Sequence, residues 1–173
     1  MPFAYYAKLS PSRQRTYRQS DAIQSLALPP GIKGGALVAR IRAGLAGADR
    51  AGVQKACQEL IDALDAGYRV PKIRVRVLAQ RPADGDGELH GLYEPDDEGT
   101  PARITVWMRT AARKDVVAFK TFLRTLIHEL CHHLDYELYK MPETFHTEGF
   151  YKRESTLVAA LLAQESTQGD LLG

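Results

Sequence analysis

The chain has 173 residues, 45% hydrophobic and 25% charged, with a net charge of +2. That composition excludes disordered and fibrous classes, and the length suffices for a core without staples. Two cysteines, Cys57 and Cys131, exclude a disulfide framework and a thiolate-only zinc site. No apolar run approaches the roughly 18 residues of a membrane span. The start, MPFAYYAKLSPSRQR, has no apolar stretch after a basic one. The expectation is a soluble chain in the reducing cytoplasm with no membrane partner. The charge is divided along the chain. Residues 1–82 hold 14 basic against 5 acidic residues, a net +9, and residues 83–173 hold 9 against 16, a net −7. A basic half makes nucleic acid a partner to test. A solvated basic face is the plainer account, because no base-reading motif accompanies the charge.

In chain order, the segment SPSRQRTYRQSDAIQSL opens with an N-cap serine and stops before Pro29-Pro30, which predicts a short basic helix. Pro29-Pro30-Gly31 and Gly34-Gly35 are turn or linker punctuation. Residues 1–35 are therefore expected as a basic helix and linker, with the main domain over 36–173. Leu37, Val38, Ile41 and Leu45 fall at helical spacing between Ala36 and about Gly47. Val53, Cys57, Leu60, Ile61 and Leu64 mark a second amphipathic helix, with Gly67 suited to its C-terminal cap.

The period then changes. Lys72–Ala79, KIRVRVLA, alternates Ile73, Val75 and Val77 against Arg74 and Arg76, as a half-buried strand does. Asp84–Gly87 reads as a turn, Glu88–Tyr93 as a second strand, Glu94–Gly99 as an acidic turn and Arg103–Met108 as a third strand. Short connections predict a small antiparallel meander. The longest periodic segment follows, from Lys114 to about Tyr139, with one apolar stripe from Val116 to Leu138 and no interior Gly or Pro. After Pro142, Thr147 can cap a last helix over about Glu148 to Gln164. The fold class expected is α+β: N-terminal helices, a small antiparallel sheet, a long central helix and a C-terminal helix.

The long helix carries His128-Glu129-Leu130-Cys131-His132, the pattern H-E-x-x-H. At ~3.6 residues per turn, positions i and i+4 stack on one face, so two imidazoles can reach one Zn²⁺ at ~2.0–2.1 Å. Glu129 lies ~100° around the helix, placed to act as a general base on a metal-bound water. A catalytic zinc needs a third protein ligand. His146, in the loop entering the last helix, and Glu154, on that helix's inward face, both qualify, and spacing alone does not choose between them. Asp135, one turn after His132, reads as a carboxylate that orients a ligand histidine. The bland alternatives are a loop residue for His146, a buried partner of Arg124 or Arg153 for Glu154, and a solvent-facing charge for Asp135. Cys131 reads as a small buried hydrophobe and Trp107 as core packing, and His90 has no partner to suggest a role.

TLIHELCHHLDYE followed by FHTEGFYKR resembles the zincin metallopeptidases, and within them the SprT-like and related small families. The resemblance implies a zincin-like domain over 36–173, Zn²⁺ on His128, His132 and His146, and Glu129 as catalytic base. His146 to Phe150 matches the H-x-x-x-F form that such families place before a final helix. The motif-level match covers about 128–153, and the order of elements extends the likeness over roughly 50–165. The chain departs from many SprT-like proteins in having no Cys pairs for a C-terminal zinc ribbon. The run Arg153-Glu154-Ser155 also resembles the glutamate-bearing helix of small gluzincins, in which Glu154 would be the third ligand. The activity implied is metal-assisted hydrolysis of a peptide or protein substrate. Tyr136, Tyr139, Tyr151 and His133 are within reach as oxyanion donors, and the Arg103–Met108 strand edge would hold an extended substrate. Two other readings stand beside it: a non-proteolytic zinc-binding regulator of the same fold, and a protease positioned on DNA by the basic half.

Overall fold

The computed structural model describes residues 1–81, 91–110 and 116–172, with side chains given through 167. The turn at Asp84–Gly87 and His90 lie outside the described residues. The architecture is α+β, with five α-helices and one three-stranded mixed sheet among the described residues. The helices are α1 (Pro11–Ala22), α2 (Gly35–Ala46), α3 (Arg50–Tyr68), α4 (Phe119–Glu137) and α5 (Glu148–Leu172). The strands are β1 (Arg74–Leu78), β2 (Gly91–Glu94) and β3 (Arg103–Trp107), preceded at the N-terminus by a 3-10 helix over Ala4–Lys8. Among the described residues no helix is long and apolar enough to cross a membrane.

Local chemistry sets most boundaries. Ser10 caps α1 by accepting from the Arg13 amide, with Pro11 in the first turn, where its missing N–H costs nothing. Asp49 accepts from the Gly52 amide to start α3, and Thr147 accepts from the Phe150 amide to start α5. Gly67 does not end α3. The helix runs one residue further, and Arg69 takes the left-handed conformation at φ 60°. Gly67 is needed for packing instead, because a Cβ there would lie 2.6 Å from the Pro29 side chain. The long helix starts at Phe119 rather than Lys114, since Val116 bridges to Arg109 and the Val117 amide donates to the Met108 carbonyl.

The expected antiparallel meander is corrected. The strand order is β1-β3-β2, with β1 parallel to β3 and β2 antiparallel to β3. The twelve residues between Leu78 and Gly91 are enough chain to carry β2 to the far side of β3. β3 is thus central, and Ile104–Trp107 are all buried. β1 keeps the expected alternation, with Val75 and Val77 buried and Arg74 and Arg76 exposed. Its outer edge is closed by side chains. The Gln54 and Gln58 amides of α3 each donate to one β1-side carbonyl and accept from one amide, at Val75 and Val77 and at Ile73 and Val75. Asp65 accepts from the Ile73 amide at 3.0 Å. Two glutamines one helical turn apart therefore stand in for a fourth strand, which leaves β2 as the sheet's other edge.

The core joins Leu60, Ile61 and Leu64 of α3 to Leu123, Leu126, Ile127 and Leu130 of α4 through the sheet, with Leu157, Val158 and Leu161 of α5 behind them. The N-terminal segment is tied to the loop before α5. The Tyr5 hydroxyl donates to the His146 carbonyl at 2.9 Å, Arg13 pairs with Glu143, and the Gly149 amide donates to Asp21 at 3.0 Å. Arg18 bonds the Tyr6 hydroxyl. At Gly149 the two segments meet so closely that a Cβ would sit 2.6 Å from the Ser20 and Asp21 carbonyl oxygens. Backbone on both sides cannot yield, so Gly149→Ala is expected to lower unfolding stability by about 1–3 kcal/mol, read from the urea midpoint at unchanged slope.

Candidate metal centre

α4 projects His128 and His132 from one face, as the four-residue spacing dictates, and the loop before α5 brings His146 to them. His146 Nε2 lies 3.1 Å from His128 Nε2 and 3.0 Å from His132 Nε2. Two nitrogens bound to one tetrahedral metal at ~2.0–2.1 Å would stand ~3.4 Å apart, so both of these separations are close to that value. Among the described residues, these three histidines form the group whose ligand atoms converge closely enough to hold a metal ion. Phe150, fully buried, underlies all three rings at centroid distances of 5.0, 4.7 and 5.3 Å.

The outer nitrogens fix the tautomers. His128 Nδ1 lies 2.6 Å from Glu154 Oε1, and a carboxylate only accepts, so the Nδ1 proton points to it and the neutral ring's lone pair is on Nε2. His132 Nδ1 lies 2.8 Å from the Thr144 hydroxyl, which donates onward to Asp135 Oδ2 at 2.7 Å. Thr144 must then accept from His132, which again leaves Nε2 bare. Two lone pairs therefore aim at a third imidazole nitrogen. Without a cation at most one of those contacts is a hydrogen bond, and a cation satisfies all three.

The two carboxylates weighed as ligands or orienters have distinct places. Glu154 turns to the back of His128 and to Arg124 Nη1 at 3.0 Å, not to the converging nitrogens. Asp135 reaches His132 through Thr144 and is itself fully buried against Arg153 at 3.0 Å. Arg153 is 1% exposed and also donates to the Ser20 and Ile23 carbonyls, so one guanidinium joins the end of α1, the last turn of α4 and the first part of α5.

Glu129 lines the same cleft, about 500 Å³ in volume, with His128, His146, Tyr151 and the Lys120–Thr125 turn of α4. Burial raises its carboxyl to about 7, against the pull of His128 and with a further push from Glu154. Burial lowers His132 to about 3, and the neighbouring imidazoles of His128 and His146 add to the fall; burial also lowers His146, helped by His128 and opposed by Glu154. Rings that resist protonation keep their lone pairs available to a metal. Cys131 is fully packed, and desolvation raises its thiol far above the usual range.

Of the oxyanion candidates, Tyr151 alone lines the cleft, its ring 6.2 Å from His128 and 5.7 Å from His146. His133 is buried and turned away, bonded to the Tyr93 hydroxyl and the Pro71 carbonyl. Tyr136 stacks on Tyr93, and Tyr139 lies under Arg153. The strand edge is corrected too. β3 is central, and β2 is the edge beside the site. Gly91, at the start of β2, stands where a Cβ would meet Glu129 Cγ and Oε1, each at 3.0 Å. Sequence reading missed Gly91 and Thr144. A glycine inside a strand segment is a signal of close approach, whereas nothing local marks Thr144. No protein-family model matches the chain, and neither a curated protein nor a solved structure matches it.

Proposed function

We propose that the chain is a zinc-dependent metallopeptidase of zincin-like fold, acting on peptide bonds. The observation that carries this reading is the convergence of three imidazole Nε2 atoms, two with tautomers set by outer partners, beside a buried carboxylate in an open cleft. Three neutral nitrogens suit Zn²⁺ better than hard cations, which prefer oxygen. Three protein ligands are the number that a catalytic rather than a structural zinc takes, and His128 and His146 line the cleft.

His128, His132 and His146 would hold the ion. A zinc ion held there would lower the pKa of a water toward ~7 and act as a Lewis acid toward a peptide carbonyl. Glu129 takes the water's proton and passes it to the leaving amine, a task suited to a carboxyl raised to about 7. Gly91, having no side chain, lets the β2 backbone lie against Glu129, so an extended substrate along this edge would bring its carbonyl to the base. Tyr151 is the side chain placed to donate to the developing oxyanion.

The test is metal binding paired with turnover. Protein stripped with chelator should take up one Zn²⁺ and regain cleavage of an unstructured protein substrate. His146→Ala should weaken zinc uptake at least 100-fold while leaving the fold intact by circular dichroism. Equal zinc affinity with and without the His146 ring would overturn the ligand set. Stoichiometric zinc with no hydrolysis of any peptide would leave only a binding module.

A further inference from the structure

The cleft that holds the metal centre has a second chemical feature. Lys120, Arg124 and His128 follow one another at intervals of four on α4, so they lie along one face and all line the cleft. Lys120 is exposed and makes no ion pair among the described residues. Arg124 is held at one end only. Its Nη1 bonds Glu154 at 3.0 Å and Ser155 at 3.2 Å, while the side chain stays 51% exposed. Glu154, 5% exposed, is thus a fixed post that orients the guanidinium and leaves its outer edge open. The first turn of α4 holds no acidic residue to cancel these charges. The two cleft carboxylates are both committed, Glu154 to His128 and Arg124, and Glu129 beside Gly91 at the metal centre.

We infer that this basic row is a subsite for a substrate carboxylate, and that the enzyme prefers peptides carrying one near the scissile bond. The inference rests on the peptidase reading above. A planar guanidinium anchored by one nitrogen presents its remaining donors in the fork geometry that matches a carboxylate, and it does so already ordered. Helix rise sets the distances. Arg124 lies ~6 Å and Lys120 ~12 Å along the axis from His128. An extended peptide advances ~3.3 Å per residue, so these lengths correspond to about two and four residues from the carbonyl at the metal. A Glu or Asp side chain and a chain terminus both supply such a carboxylate, each with the same two oxygens.

The experiment uses the zinc-loaded protein and peptides identical except for Glu, Gln or Lys at each of four positions on either side of the cleaved bond. A second set is cut back to end two residues beyond that bond, with a free or an amidated C-terminus. Glu two residues from the bond, on one side only, should raise kcat/KM about tenfold over Gln, through KM. An advantage of the internal Glu identifies side-chain recognition, and an advantage of the free over the amidated end identifies terminus recognition. Lys120→Glu should invert the ranking of Glu and Lys at the outer position. Binding is read independently by calorimetry on zinc-loaded Glu129→Gln, where the same ranking should hold without turnover. Equal cleavage and equal binding of the Glu, Gln and Lys peptides and of both end groups would overturn the subsite and leave the peptidase reading standing. Failure of zinc-loaded protein to bind or cleave any of them would overturn both.

Discussion

If the proposed zinc peptidase reading holds, Glu129→Gln is expected to bind zinc and to lose hydrolysis. The substitution preserves shape, so the contact with Gly91 survives, but an amide cannot take a proton at neutral pH. Glu129 does not approach the converging nitrogens as a ligand, and zinc affinity should therefore change less than threefold. Proton transfer by a positioned group contributes about 10²–10⁴-fold, which sets the expected fall in kcat. Metal content and turnover measured on the same preparation check both halves. Retained turnover would remove Glu129 from the base role. Lost zinc would show that the carboxylate supports the ligands.

The second large effect is on stability. Asp135 and Arg153 are 0% and 1% exposed and face each other at 3.0 Å. Asp135→Ala leaves a guanidinium charge buried with only carbonyl and hydroxyl partners, and breaking such a pair from one side costs about 3–5 kcal/mol. Denaturant unfolding of the metal-free protein should show that loss, and a change within 1 kcal/mol would contradict it. The same carboxylate also reaches the His132 ring through Thr144, so the structural and the proposed metal-site roles need separating. Thr144→Val removes the relay and leaves the ion pair. It should lower zinc affinity 10–100-fold with much less destabilisation.

The candidate site was legible in the sequence because its main part is local. The i, i+4 relation of His128 and His132 and the neighbouring Glu129 follow from helix geometry, and the helix follows from an uninterrupted apolar stripe. Thr147 as cap of α5 and the alternation of β1 follow from equally local chemistry. The start of α4 was misread because the apolar stripe continues through Val116, which the chain uses in a bridge to Arg109. The sheet was misread for a different reason. Short spacing favours hairpins, but pairing is decided by which faces and edges find cover. β1 has its outer edge satisfied by Gln54 and Gln58, residues whose placement on α3 no strand pattern reveals.

The choice between His146 and Glu154 lay beyond the sequence as well. Both are near enough along the chain, and both types ligate zinc. Their roles depend on how α5 and its preceding loop lie across α4. Arg153, Asp21 and Tyr5 decide that by anchoring the loop from three sides, while Arg124 draws the Glu154 carboxylate to the back of His128. Residue type and spacing along one helix determined where a metal could be gripped. Only the packing of distant segments decided which imidazoles converge, which carboxylates stand behind them, and which strand edge lies beside Glu129. The reason is that an imidazole or carboxylate acts over ~3 Å, while the residues that aim it are up to 141 positions away in the chain.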